Sequence, residues 1–259
     1  MNSSTVARLA LPLGLALLAG ACQTTPAADG GFLTSYDGLR TKEGTLRVAV
    51  RDRRDDALAA RIDRIFIEPA RLVEGAADDR LSADDVAKVL GEVDRQVCYE
   101  LSERFTVLPE AGADASKVRV AVTRILPTEP VSSGAAAIAN VFIPGPLGVR
   151  LPGTTGGLAA EAELLTVDDR QAAAVAFARS ANVVGTDSPS LSRVGDALQF
   201  AEVFGDQVGD SFAPEDREVR PIAKPDPCAR FGPRDQPVGF LTRLVTGLYV
   251  PETAGVRPQ

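Results

Sequence analysis

The sequence predicts an α+β fold, an α/β layer in which a mixed β-sheet carries two principal helices on one face. Three observations predict it. Val86, Leu90, Val93, Val97 and Leu101 recur at helical spacing between Ser82 and Phe105, and Val194, Leu198, Ala201, Phe204, Val208 and Phe212 do the same between Ser192 and Phe212. Period-two alternation marks short strands, with Val118, Val120 and Val122 on one face of 117–126. Runs 161–167 and 171–180 flank Asp168-Asp169-Arg170, which reads as a β-hairpin with the aspartates serving its turn. The order strand, helix, strand, hairpin, helix, followed by an extended C-terminal arm, is that of helices laid on a sheet.

In chain order, the first element is an export signal. Arg8 is the only charge before the apolar run from Leu9 to Ala19, which is shorter than the roughly 20 residues a membrane span needs. Leu18-Ala19-Gly20-Ala21-Cys22 fits the lipobox pattern of bacterial lipoproteins. That pattern implies cleavage after residue 21 and acylation of Cys22 through its thiolate, giving stable attachment to a membrane. Gln23 replaces the aspartate that retains lipoproteins in the inner membrane, so the expected location is the periplasmic face of the outer membrane. The division expected is therefore a signal peptide at 1–21, a tether at 22–35, a periplasmic domain at 36–212 and a Pro-rich arm at 213–259. Small polar residues dominate Gln23–Gly31. Phe32, Leu33, Tyr36 and Leu39 read as an arm docked on the core.

Leu46, Val48 and Val50 alternate with charges as a strand, and Arg51–Asp56 reads as a solvated charged turn. Residues 62–68 form the next strand, ended by Pro69. Ser82 is placed to cap the first helix, with Asp84 and Asp85 in its first turn. Between Pro130 and Ala160 the only charge is Arg150, and glycines and prolines break the stretch throughout. Its apolar residues Ile138, Val141, Phe142, Ile143 and Leu147 are candidates for a loop facing a partner or the membrane, although packing over the domain is the plainer expectation. Ser192 is placed to cap the second helix. Phe240, Leu241, Leu244, Val245 and Leu248 suggest a short amphipathic helix in the C-terminal arm.

Composition narrows the chemistry. The chain of 259 residues is 45% hydrophobic and carries a formal net charge of −7, which becomes −8 once Arg8 leaves with the signal. It can bury a core, and it lacks the basic field that attracts nucleic acid. Histidine is absent, which removes Ser-His-Asp and Cys-His catalysis and every histidine metal site. No catalytic residue, metal ligand or cofactor is expected. Apart from Cys22 the cysteines are Cys98 and Cys228. An oxidising periplasm favours a disulfide between them, worth roughly 4 kcal/mol by loop closure. Glu161 and Glu163 share one face of a strand. They read as a solvent-facing pair, with a glycosidase acid and base as the competing use.

Gly31-Phe32-Leu33-Thr34-Ser35-Tyr36, Ile65-Phe66-Ile67-Glu68-Pro69-Ala70, the strand from Val118 to Ile125 and the hairpin opened by Glu161-Ala162-Glu163 together resemble the bacterial lipoproteins of the domain of unknown function 3313. That family has no established catalytic residues to carry over. The element order is also similar, at the level of fold, to periplasmic domains of the curli secretion channel subunit and of peptidoglycan synthase activator lipoproteins. The expectation is a membrane-anchored lipoprotein without enzymatic activity, binding an envelope protein or serving the envelope structurally. The alternatives are a carboxylate-based glycan hydrolase and a subunit of an oligomeric secretion assembly.

Overall fold

The computed structural model describes residues 28–43, 48–129, 148–149, 155–182, 184–185, 190 and 192–232. Cys22 and its signal, the apolar residues Ile138, Val141, Phe142, Ile143 and Leu147, and the expected helix near 240–248 lie outside the described residues.

The strands are β1 (Arg40–Thr41), β2 (Ala49–Arg54), β3 (Arg64–Ile67), β4 (Arg71–Leu72), β5 (Thr106–Val107), β6 (Ser116–Leu126), β7 (Gly148–Val149), β8 (Gly157–Leu165), β9 (Gln171–Ser180) and β10 (Val184–Gly185). The helices are α1 (Asp56–Ala59), α2 (Ala83–Ser102) and α3 (Gly195–Phe212), with a 3-10 turn at Ala229–Phe231. An eight-stranded sheet runs β1-β2-β9-β8-β6-β3-β5, and β4 also pairs with β6. From β1 through β2, β9 and β8 to β6 each pairing is antiparallel, whereas β3 and β4 pair in parallel with β6 and β5 pairs in parallel with β3, so the sheet is mixed as predicted. β7 and β10 form a separate antiparallel ribbon. Among the described residues no helix is long and apolar enough to cross a membrane.

Strand alternation gives the sheet two unlike faces. Val118, Val120, Val122, Ala160, Ala162, Leu164, Val175 and Phe177 meet Val93, Val97, Leu101, Leu198, Phe204 and Phe212 of the helices in one core. Phe177 and Phe204 touch at a ring separation of 5.4 Å. α2 and α3 also pack on each other. At Gly205 a Cβ would lie 3.0 Å from the backbone of Gln96, tighter than most side-chain contacts, so glycine eases the close approach of the two helices. Ser82 opens α2 with a full capping box: its hydroxyl accepts from the Asp85 N–H at 3.1 Å, and the Asp85 carboxylate accepts from the Ser82 N–H at 3.0 Å.

Four sequence expectations are corrected. Arg51–Arg54 belong to β2 instead of a turn, because their backbone pairs with Ala173–Ala176 of β9. The first hairpin strand starts at Gly157, which takes 157–160 from the supposed long connection into the sheet. Ser192 does not cap α3. Its hydroxyl accepts from Val194 N–H, and α3 begins at Gly195 with no side-chain cap. Residues 30–35 lie against the sheet, so the tether counted to residue 35 ends earlier. The hairpin turn is as expected: Asp168 accepts from Thr166 Oγ1 at 2.7 Å, and Asp169 takes the left-handed conformation at φ 59°.

Candidate functional site

The face of the sheet turned away from the helices holds the most unusual side chains of the chain. Across it run two rows set by register: Arg53, Ala174, Glu163 and Arg119, then Arg51, Ala176, Glu161 and Ala121. Glu161 and Glu163 are 2% and 0% exposed, so the expectation of a solvent-facing pair is overturned. The N-terminal arm covers them. An ionised carboxylate is stable there only if hydrogen bonds replace its water, and the arm supplies them.

Glu161 accepts from Gly30 N–H at 2.8 Å and from the Tyr36 hydroxyl at 2.7 Å. Glu163 accepts from Thr34 N–H at 2.8 Å, from Thr34 Oγ1 at 3.1 Å, from Gln171 Nε2 at 2.8 Å and from Arg119 at 2.6 Å. The Tyr36 oxygen in turn accepts from Phe32 N–H and Leu33 N–H at 2.9 and 3.3 Å. Burial, followed by the Glu161 bond, raises the Tyr36 phenol above its ordinary range, which keeps it a donor. Between these bonds Phe32 lies under two guanidinium groups, Arg71 at 4.6 Å and Arg119 at 4.9 Å from its ring centre. Phe32 and Leu33 bury against Ala121 and Ala174, with Tyr36 and Leu39 packed alongside, as the sequence predicts. Asp29 closes the outer end on Arg51 at 2.6 Å.

The fit leaves no spare room. A Cβ on Gly30 would stand 2.4 Å from Thr123 Cγ2 and 3.0 Å from a Glu161 oxygen. Glycosidase work by this pair would need open space for sugar and water beside the carboxyls. The backbone and side chains of Gly30, Thr34 and Tyr36 occupy that space, and what the arrangement does is hold a segment of chain. Sequence reasoning reached the two glutamates and the docked arm but missed Arg119 and Arg71 as its partners. A usable signal existed for Arg119: with Val118, Val120 and Val122 facing the core, alternation puts Arg119 on the opposite face.

Elsewhere, Cys98 and Cys228 are both fully buried and form a disulfide with Cα atoms 5.8 Å apart, tying residues 214–232 to α2. Buried Asp196 accepts from Thr128 Oγ1 at 2.9 Å and Gly156 N–H at 2.8 Å, joining α3 to the ends of β6 and β8. Burial pushes the Asp94 carboxyl up to about 6, opposed by a bond from Ala70 N–H and by Arg230. Among the described residues no cluster of metal-ligating side chains occurs.

The profile of a family described as a protein of unknown function, DUF3313, matches residues 28–208. That span begins one residue before Asp29 and includes the arm, the sheet and most of α3. No functionally curated protein matches the chain. Among solved structures, the PelC dodecamer from Paraburkholderia phytofirmans is similar at 11% identity and a TM-score of 0.39, covering 65% of this chain and 99% of that one. A variant of the same dodecamer gives 10% identity and a TM-score of 0.37, with 62% and 97% covered.

Proposed function

The chain belongs to the DUF3313 family, and from that premise and the clamped arm we propose that it is a non-enzymatic envelope lipoprotein, anchored through lipid on Cys22 at the periplasmic face of the outer membrane. Its domain binds an envelope protein or serves the envelope structurally. The observation that carries this reading is the use made of Glu161 and Glu163. The two most buried carboxylates of the sheet are both committed to gripping residues 30–36, the segment that leads back to Cys22. Between Cys22 and Asp29 there are seven residue steps, which reach at most about 25 Å. A domain gripped so near its anchor is kept within that reach of the bilayer.

Metabolic labelling with a palmitate analogue, in wild type and in Cys22→Ser, tests the anchor. Label on the wild type alone is expected, and label that survives the substitution overturns the placement. Crosslinking in cells followed by pull-down tests the binding role. Recovery of a defined envelope component is expected, and its absence above background counts against that role.

A further inference from the structure

β5 is the last strand of the sheet, and its outer edge is open. In a parallel pair, alternate residues turn both N–H and C=O toward the same neighbour. Thr106 N–H donates to the Asp63 carbonyl and Leu108 N–H to the Ile65 carbonyl, both at 2.8 Å, so Val107 between them turns its N–H and C=O away from β3. Among the described residues no other strand or turn pairs with them. The segment after α3 passes along this edge. It is pinned at both ends, by Arg220 N–H on the Glu103 carbonyl at 2.8 Å and by the Cys98–Cys228 disulfide. Between those pins Ile222, Ala223 and Lys224 make no backbone hydrogen bond among the described residues. Segment and edge do not close on each other. They leave an open groove of about 560 Å³, within the ordinary range of a ligand site, walled by Thr106, Val107 and Pro109 from the edge and by Pro221, Ala223 and Pro225 from the segment.

A cover that only shielded an edge strand would lie against it. A gap bounded by the unpaired backbone of a strand suits an extended chain, whose own N–H and C=O groups continue the ladder. Charge narrows the choice. Arg220, Lys224 and Arg230 line the groove against one carboxylate, Asp226, in a chain whose net charge is −7. Asp226 accepts from Cys228 N–H at 2.8 Å, and Arg220 is shared with Asp63 at 3.6 Å. Arg230 spends donors on the carbonyls of Pro109 and Ile67, at 3.1 and 2.9 Å, and the buried Asp94 feels its charge without an ion pair. Lys224 is exposed and makes no hydrogen bond or ion pair among the described residues. We propose that the groove between β5 and residues 220–227 receives an extended, acidic segment of an envelope protein, which adds to β5 as a strand at Val107 with carboxylates beside Lys224 and Arg230. The proposal rests on the reading of the domain as a binder of an envelope protein and names the chemistry of that partner. Side chains alternate along an added strand, so a segment that alternates apolar and acidic residues sets one kind against the prolines and leaves the other for the cations.

The test uses the full chain carrying Cys22→Ser, in a non-ionic detergent, with a fluorescent, end-blocked octapeptide that alternates valine and glutamate as the probe. Saturable binding by fluorescence anisotropy is expected. The Val107 amide, followed by NMR, should exchange freely in the unbound chain and be protected in the complex. Lys224→Glu breaks no contact among the described residues. It should weaken binding by about tenfold with the melting temperature intact, and should admit the peptide that alternates valine and lysine. Arg170→Glu, the same change of charge at the β8–β9 turn, should leave binding unchanged. A probe methylated at alternate backbone nitrogens should not bind, because it has lost donors of the ladder. No saturation, binding that leaves exchange at Val107 as before, or equal loss in Arg170→Glu overturns the proposal. So does a Val107 amide already protected in the unbound chain: protection independent of concentration gives the groove to the chain's own residues, and protection that grows with concentration gives it to a second copy. The purified chain carries no acyl group and meets no cellular protein. Failure of the peptide with a partner recovered in cells therefore removes this groove alone, and failure of recovery in cells with the peptide bound counts against the cellular role alone.

Discussion

Glu163→Ala tests the grip on the arm directly. The side chain is fully buried and accepts four hydrogen bonds, from two atoms of Thr34, from Gln171 and from Arg119. Truncating it strands a cation and three neutral donor groups. Breaking a buried ion pair costs about 3–5 kcal/mol, but the Arg119 side chain retains 24% exposure and water recovers part of that loss. The expected cost is about 2–4 kcal/mol, which for a domain of this size lowers the melting temperature by about 4–16 °C. Thermal unfolding at neutral pH measures the global part. Limited proteolysis with mass spectrometry measures the local part, because an arm that loses the Thr34 anchor should be cut between residues 28 and 39 before the sheet is. Thr34→Ala should cost about 1 kcal/mol in the wild type and almost nothing once Glu163 is gone, since the two act through the same bonds. A drop under about 2 °C with an unchanged cleavage pattern would refute the clamp as the reason these carboxylates are buried.

Gly30→Ala forces a methyl to 2.4 Å from Thr123 Cγ2. It should cost about 1–3 kcal/mol by overpacking, seen as earlier proteolysis of the arm. Replacing Cys98 and Cys228 by serine removes a link spanning 130 residues, with an expected loss of about 4–5 kcal/mol in the chain-entropy model. The measurement is the denaturation midpoint, together with faster cleavage in 214–232. Asp94 gives a pH dependence. Its folded value of about 6 lies above the ordinary 3.8, so the fold prefers the protonated acid. That contribution is complete below about pH 4 and is lost as pH rises through about 6, with a ceiling of about 3 kcal/mol. Asp94→Asn keeps an acceptor for Ala70 N–H, so it should equal wild type near pH 4 and gain on it up to pH 8. A difference constant across that range refutes the assignment.

The sequence made the helix-bearing face legible because large apolar residues advertise it. Val93, Val97 and Leu101 on α2, and Val118, Val120 and Val122 on β6, follow their periods without interruption, and both elements form where those periods put them. The opposite face was read wrongly at its centre. Glu161 and Glu163 alternate with Ala162 and Leu164 as a half-exposed strand does, and alternation alone cannot tell water from a polar segment of the same chain as the cover. The charges of β2 misled for a related reason. Arg51 and Arg53 are strand residues whose partners, Asp29 and the Asp37 carbonyl, come from the arm, so no local pattern announces them. Pairings over 125 to 131 residues, such as Tyr36 and Gly30 with Glu161, become visible only when the register of the sheet is known.

The alanines of β9 explain why an arm, and not a third helix, covers that face. Val175 and Phe177 point to the helices, while Ala174, Ala176 and Ala178 point to the arm. A helix packs by interlocking large side chains at an interaxial distance near 10 Å, and three methyl groups in a row offer it little to grip. They do leave a shallow floor on which a backbone can lie close enough for its N–H groups to reach carboxylates rooted in the sheet, as Gly30 and Thr34 do at 2.8 Å. Enlarging that floor therefore acts on the arm before it acts on the core. Ala174→Val should loosen residues 32–36, through Phe32 and Leu33, while leaving the unfolding of the helix-bearing layer nearly unchanged. Hydrogen exchange checks this: faster exchange at Leu33 and Thr34 with Val97 and Phe204 still protected is the expected pattern, and equal loss of protection in both places would show that the two faces do not act separately.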